Sequence, residues 1–306
     1  MRIVIAGAGG VGGYFGAKLA RAGLDVALLA RGAHLDAIRA HGLRVRSAIE
    51  GEWTVKVDAS AEPRELGRAD TVFLCVKAFD TDATVEALRP LVGPGTPVLS
   101  LQNGVDNEER IDARLGPGHA LGGAAYVFAT LEAPGVIGHR FAGRIVFGEL
   151  DGSVRPRTTG LGEAFAAAGI PAEVSADIRR VLWEKYVFIC AQAGMTALTR
   201  CPIGVVRETP PAWEMYRRIV EELAAVAHVA GIGLPDDVVD TIVAAGASVA
   251  RDAYSSLHHD LVEGRRLELD ALHGHAVRLG ERLGVPVPTL FAVYAALAPH
   301  AGGRRD

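Results

Sequence analysis

The stretch whose reading decides the fold is MRIVIAGAGGVGGYFGAKLARAG, residues 1–23. Residues 2–6, RIVIA, form a short β-branched run that reads as a strand. Gly7, Gly9 and Gly12 then spell GxGxxG, and a helical pattern follows over 13–23. Alone the pattern is weak. Between a strand and a helix it reads as a phosphate-binding turn. Gly7 permits the tight turn, Gly9 lets backbone approach a pyrophosphate, and Gly12 allows close helix–strand contact. Gly10 and Val11 complete the loop, and the pyrophosphate is expected at the positive end of the helix. The bland alternative is an ordinary glycine-rich β–α turn.

Working outward, the same alternation continues. VALLA (26–30), TVFLCV (71–76) and PVLSL (97–101) read as strands, and DATVEALRPLV (82–92) as a helix. Such alternation indicates βαβ units and a parallel sheet. Residues 124–150 differ. They read as strands joined by a turn at Pro134-Gly135, so antiparallel pairing is expected there. RTTGLGEAFAAAGI adds a helix and PAEVS a last short strand.

From about Ala176 the β signal stops. ADIRRVLWEKYVFICAQAGMTALT reads as one long helix. Thr209-Pro210-Pro211 opens another, with proline in the first turn where it is tolerated, and this helix stops at Gly231/Gly233. Asp236-Asp237 opens the next. Gly264 breaks a later segment, and Glu268 to Leu283 reads as a helix closed by Gly284. The expected fold is α/β: a Rossmann-type dinucleotide-binding domain over 1–175 and a mostly α-helical domain over 176–306. The tail GGRRD is expected to fray.

The totals agree with a two-domain globular protein of 306 residues, 49% hydrophobic and 22% charged. A net charge of −4 carries no basic footprint for nucleic acid. No uninterrupted apolar run of about 20 residues suggests a membrane span. Cys75, Cys190 and Cys201 make no CxxC pair and lie in or beside apolar runs, as reduced thiols of a cytoplasmic protein would. Apolar helices such as 220–231 point to a homodimer as an alternative to packing within the domain.

Strand ends carry the polar signals. The second strand closes on Ala30-Arg31-Gly32, with no Asp or Glu to accept a ribose 2′-hydroxyl. Arg31 instead favours a 2′-phosphate, hence NADP. His34 is either an aid to that phosphate or simply a residue near a helix start. Lys77 follows TVFLCV, and Asn103-Gly104 follows PVLSLQ. In open α/β sheets ligands bind outside the carboxyl ends of strands, where all these residues fall. A solvated lysine and a bare turn dipeptide are the plain alternatives.

In the helical half, Lys185 heads an apolar segment. At roughly 100° per residue, Gln192 and Thr196 return almost to its face. That stripe is either a site or a snorkelling lysine with two polar neighbours. A second cluster, residues 254–270, holds Ser256, His258, His259, Asp260 and Glu268. Adjacent histidines on a helix diverge by about 100°, so no metal is expected. Glu268 alone would pass for a first-turn acid.

The chain resembles the ketopantoate reductase family, the 2-dehydropantoate 2-reductases, over essentially its whole length. The matching pieces are GAGGVGGYFGAKLARAG, LLARGAHLDAI, VKAFDT, LQNGVDN, WEKYVF, TALTRCPIG and SSLHHDLVEGRRLELD. The resemblance implies an active site in a cleft between the two domains and an NADPH hydride delivered to the C2 carbonyl of a 2-oxo acid. It makes Lys185 the proton donor, with Glu268 binding and positioning substrate. Ser256 would contact the carboxylate end, Asp260 accompanies it in the matching segment, and Asn103 and Lys77 would lie near nicotinamide and substrate. Characterised members carry asparagines four and eight positions after the lysine. Here Ile189 and Ala193 stand there, and Gln192 is the available replacement for one contact. The expected substrate is 2-dehydropantoate. The alternatives are a related 2-oxo acid with a less polar tail and a catalytically silent NADP-binding sensor.

Overall fold

The structure, a computed structural model, describes residues 1–304. It divides into two units, Met1–Gln102 with Asp106–Ile178, and Asn103–Val105 with the chain from Arg179 onward.

The first unit follows the order β1 (Arg2–Ala6), α1 (Gly10–Arg21), β2 (Asp25–Leu29), α2 (Gly32–His41), β3 (Leu43–Ser47), β4 (Gly51–Val55) and β5 (Asp58–Ser60). Next come β6 (Thr71–Leu74), α3 (Thr81–Ala87), β7 (Val98–Ser100) and α4 (Asn107–Leu115). It closes with β8 (Ala120–Ala133), β9 (Val136–Gly148), α5 (Pro156–Ala167) and β10 (Ala172–Val174). Six strands pair in parallel in the order β5-β2-β1-β6-β7-β8. Numbered along the chain, that is the 3-2-1-4-5-6 order of dinucleotide-binding sheets, which reverses between β1 and β6. The opening run explains itself in packing. Ile3 and Ile5 enter one apolar cluster, Val4 and Ala6 the cluster on the other face, and all four are fully buried. A strand buried on both sides needs no alternation, and each large side chain contributes about 2 kcal/mol.

β8 and β9 are antiparallel, joined at Pro134-Gly135 as the turn signal indicates, with Gly135 at φ +75°. β3 pairs parallel with β9 and antiparallel with β4. This β3–β4 hairpin was not read from sequence. Its alternation is present in LRVRS, where Leu43, Val45 and Ser47 are buried and Arg44 and Arg46 exposed, but it spans only five residues. The helix expected over 82–92 is shorter. α3 ends at Ala87, because Pro90 disfavours helical backbone in the residue before it.

The second unit is helical: α6 (Ile178–Thr199), α7 (Ile203–Glu208), α8 (Pro210–Val229), α9 (Val238–Ser248), α10 (Ser256–Val262), α11 (His275–Leu283) and α12 (Pro288–Leu297). The first residue of α6 counts with the first unit. α8 starts on two prolines behind Thr209, and Gly284 closes α11 in the left-handed conformation, both as expected. One difference bears on the site. The helix expected from Glu268 opens as a π-helical turn, Asp270–Gly274, a distortion often found at functional positions. The tail expectation falls partly on Arg305 and Asp306, which lie outside the described residues. Up to Arg304 the chain is tied back, its N–H donating to the Gly264 carbonyl at 2.9 Å. No helix among the described residues is long and apolar enough to cross a membrane.

Candidate active site

Each glycine of the loop has its own surroundings. Gly7 sits at φ +103°, and a Cβ there would come 2.7 Å from the Val76 nitrogen. The loop after β1 is thus packed against the end of β6, immediately before Lys77. A Cβ on Gly12 would come 2.1 Å from the Gly7 carbonyl oxygen and 2.9 Å from Ile5 and Cys75, so any side chain there would push α1 off β1. A Cβ on Gly10 would come 2.0 Å from the Ala129 carbonyl oxygen of β8, a close approach that the motif alone does not announce. Gly9 is the exception: a Cβ there would meet nothing within 4 Å. Its backbone is the open side of the loop. The first turn of α1, which includes Val11, carries no acidic residue. The helix end therefore keeps its positive potential for an anion.

Beyond β2, Arg31 flanks the start of α2 with a side chain 90% exposed. Its ion pair to Asp80, at 3.7 Å, is long and solvent-screened, leaving the guanidinium available at little cost. Lys77, half-buried, precedes a short 3-10 turn, Ala78–Asp80. Gln102, missed in the sequence reading, organises this region. Its buried amide nitrogen donates to the Val76 carbonyl and to the Thr81 hydroxyl, both at 2.8 Å. That side chain ties the end of β7 to the segment carrying Lys77. Asn103 follows directly, beside Gly104 at φ +114°.

The remaining residues belong to the second unit, and α6 is their spine. Lys185 is half-buried. Gln192 is 8% exposed, with an amide oxygen that has no hydrogen-bond partner, and Thr196 is fully buried. Ile189 is half-buried between the first two, whereas Ala193 is in the core. The Thr196 hydroxyl donates to the Gln192 carbonyl at 2.8 Å and lies 2.8 Å from the Ser255 hydroxyl. Thr196 has one proton, so Ser255 donates to it. Ser255 Oγ in turn accepts the His258 N–H and caps α10. This chain of hydroxyls sets the start of α10, and with it Ser256, whose side chain is exposed. Asp260 is 4% exposed and accepts from Arg265 Nε at 2.7 Å, so it also braces the turn after α10.

Glu268 is 9% exposed and stands just before the π-helical turn. Two bonds fasten that turn to α6. Tyr186 donates its phenol proton to the Leu272 carbonyl. His273 Nε2 donates to the Cys190 carbonyl at 3.0 Å. Gly194 makes room, since a Cβ there would come 2.6 Å from His273 Nε2. Full burial pushes the His273 pKa down to about 4, so the ring is neutral at pH 7. His273 was not recognised from sequence; an isolated histidine in an apolar helix gives no signal of its own. His258 stacks on Tyr254 at 4.1 Å, and burial lowers its pKa too. Among the described residues no group of three or more His, Cys, Asp or Glu is placed to hold a metal ion. Cys75 and Cys190 are free thiols, held protonated by burial.

A dinucleotide-type sheet with an open glycine loop at its switch point, followed by a helical unit carrying a half-buried lysine, defines an NAD(P)-dependent oxidoreductase. Known proteins place it further. Residues 3–152 match the family model for ketopantoate reductase PanE/ApbA, and residues 177–301 its C-terminal counterpart. The 2-dehydropantoate 2-reductase of Mesorhizobium japonicum is 34% identical over 96% of each chain. A PanE/ApbA family ketopantoate reductase from Ralstonia eutropha superposes with a TM-score of 0.91 at 36% identity, covering 98% of both chains. A D-mandelate dehydrogenase, solved in complex with NADH, superposes with a TM-score of 0.88 at 25% identity, over 98% of this chain and 99% of its own. This chain belongs to the ketopantoate reductase family.

Proposed function

We propose that the protein reduces a 2-oxo acid with NADPH, with 2-dehydropantoate as the first substrate to test and pantoate as its product. The observation that carries this reading is the α6 face, where half-buried Lys185 shares a stripe with buried Gln192, whose amide oxygen lacks a partner. A stripe that merely faced water would not leave an acceptor buried and unused.

The residues present fit a dinucleotide. Gly7, Gly9, Gly10, Val11 and Gly12 form the pyrophosphate turn, open at Gly9, and Arg31 is the exposed cation for a 2′-phosphate. When bound, the reduced nicotinamide supplies a hydride. The chain does the rest. Lys185 stabilises the negative charge that develops on the carbonyl oxygen and gives that oxygen its proton, leaving a 2-hydroxy acid. Ser256 holds the carboxylate end, Glu268 orients the substrate, and Asn103 and Lys77 position the reacting groups. Gln192 takes a polar group of the tail, with Asp260 bracing the loop that follows α10.

A second reading rests on half-buried Ile189, apolar on this helix, and on the likeness to D-mandelate dehydrogenase, whose named substrate has an aromatic tail. In that reading the preferred 2-oxo acid has a less polar tail than 2-dehydropantoate. Apolar pockets discriminate such differences by only about 1–3 kcal/mol, so the panel must be broad. Loss of NADPH absorbance is followed with 2-dehydropantoate and with 2-oxo acids bearing branched and aromatic tails. Turnover highest with 2-dehydropantoate supports the first reading, and turnover highest with an aromatic tail supports the second. NADPH binding without turnover of any acid contradicts both.

A further inference from the structure

His34, on the first turn of α2, makes two hydrogen bonds with its two ring nitrogens. Nδ1 lies 2.9 Å from the Gly135 N–H, and Nε2 lies 2.8 Å from the Ala8 carbonyl oxygen. The Gly135 N–H can only donate, so Nδ1 is the bare acceptor. Nε2 therefore carries the proton and donates to Ala8. One ring thus joins three segments: α2, the glycine loop and the β8–β9 turn. The turn is itself well held. Gly135 accepts the Arg44 N–H at 2.9 Å, and a Cβ at Gly135 would come 2.9 Å from Ala37 of α2.

The consequence lies in the peptide unit between Ala8 and Gly9. A trans peptide is planar, with its C=O and N–H pointing in opposite directions. Drawing the Ala8 carbonyl toward His34 turns the Gly9 N–H away from it. Gly9 is also the loop position where a Cβ would meet nothing.

We infer that His34 is a positioning residue for the coenzyme: by holding the Ala8 carbonyl it aims the Gly9 N–H at the pyrophosphate, and it does not read the 2′-phosphate. This rests on the glycine loop binding the dinucleotide, as proposed above. A pyrophosphate is common to NADPH and NADH, so losing His34 weakens both alike, whereas losing a 2′-phosphate contact weakens NADPH alone.

The test titrates the full-length protein with NADPH and with NADH by quenching of tryptophan fluorescence, in unsubstituted protein and in His34→Ala, His34→Gln and His34→Asn. A glutamine amide nitrogen reaches about where Nε2 lies and keeps the bond to Ala8. An asparagine oxygen mimics Nδ1 and keeps only the bond to Gly135. Affinity for both coenzymes is expected to fall about fivefold in the alanine and asparagine variants and to return to within about twofold in the glutamine variant. Steady-state kinetics should show this as a raised coenzyme KM with kcat little changed. A loss confined to NADPH, no loss in His34→Ala, or equal rescue by asparagine and glutamine would overturn the inference. If the unsubstituted protein binds neither coenzyme, the dinucleotide reading itself fails.

Discussion

The glycine loop and the α6 face hold their chemistry in opposite ways. In the loop the proposed working groups are backbone N–H donors, and Gly7, Gly10 and Gly12 leave no room for side chains: beside Gly12 a Cβ would come 2.1 Å from the Gly7 carbonyl oxygen. On α6 the proposed working groups are side chains, and the helix spaces them from Lys185 through Ile189 to Gln192. A site built of backbone is insensitive to which substrate the enzyme takes. A site built of side chains can change substrate by one letter. On the proposed reading the coenzyme is therefore held by the first region, and proton transfer and the choice of substrate belong to the second.

The sharpest way to break this comparison is to add one methyl group at two places in the loop. Gly12→Ala forces α1 from β1 and is expected to cost about 3 kcal/mol in urea unfolding, together with coenzyme binding. Gly9→Ala meets nothing in the protein, so stability should stay within about 0.5 kcal/mol while coenzyme affinity falls. Equal destabilisation by both would mean that Gly9 is packed and the loop is not open there.

A smaller effect tests the anchoring of α6. His273 has its pKa lowered from 6.5 to about 4 by burial, so the unfolded chain binds the extra proton and the folded protein does not. Its contribution is intact above pH 6.5 and declines as pH falls toward 4. The protein should be about 2 kcal/mol less stable at pH 5 than at pH 7 from this group, and His258 acts in the same direction. Urea melts at the two pH values check it, and His273→Gln should remove most of the difference. A slope unchanged in that variant would assign it elsewhere.

Smallest is Arg31→Ala. An exposed guanidinium facing a 2′-phosphate is worth about tenfold in NADPH affinity and nothing for NADH. Coenzyme titrations that keep their NADPH-to-NADH ratio would remove Arg31 from the site.

Legibility in the sequence follows the same division. The glycine loop and the strand ends announce themselves because turns and close approaches demand particular residues at fixed spacing. The β8–β9 hairpin was legible for the same reason, from Pro134-Gly135. The β3–β4 hairpin was not, since Arg44 and Arg46 alternate with apolar residues over too short a span, and β9, the parallel neighbour of β3, lies far along the chain. In the helical unit, periodicity put Lys185, Gln192 and Thr196 on one face. It could not show that Tyr186 and His273 bolt the π-helical turn after Glu268 to that helix, because those bonds join residues more than 80 positions apart. Gln102 escaped likewise, because it acts through one bond to a backbone carbonyl and one to a threonine hydroxyl rather than through any motif.

The central claim is that Lys185 gives the proton to the substrate oxygen. Single-turnover reduction of the best 2-oxo acid from the panel, with NADPH saturating, measures it most directly in Lys185→Ala beside the unsubstituted protein. The account predicts a rate lower by about a thousandfold with NADPH affinity unchanged. A rate within about threefold of the unsubstituted protein would contradict it.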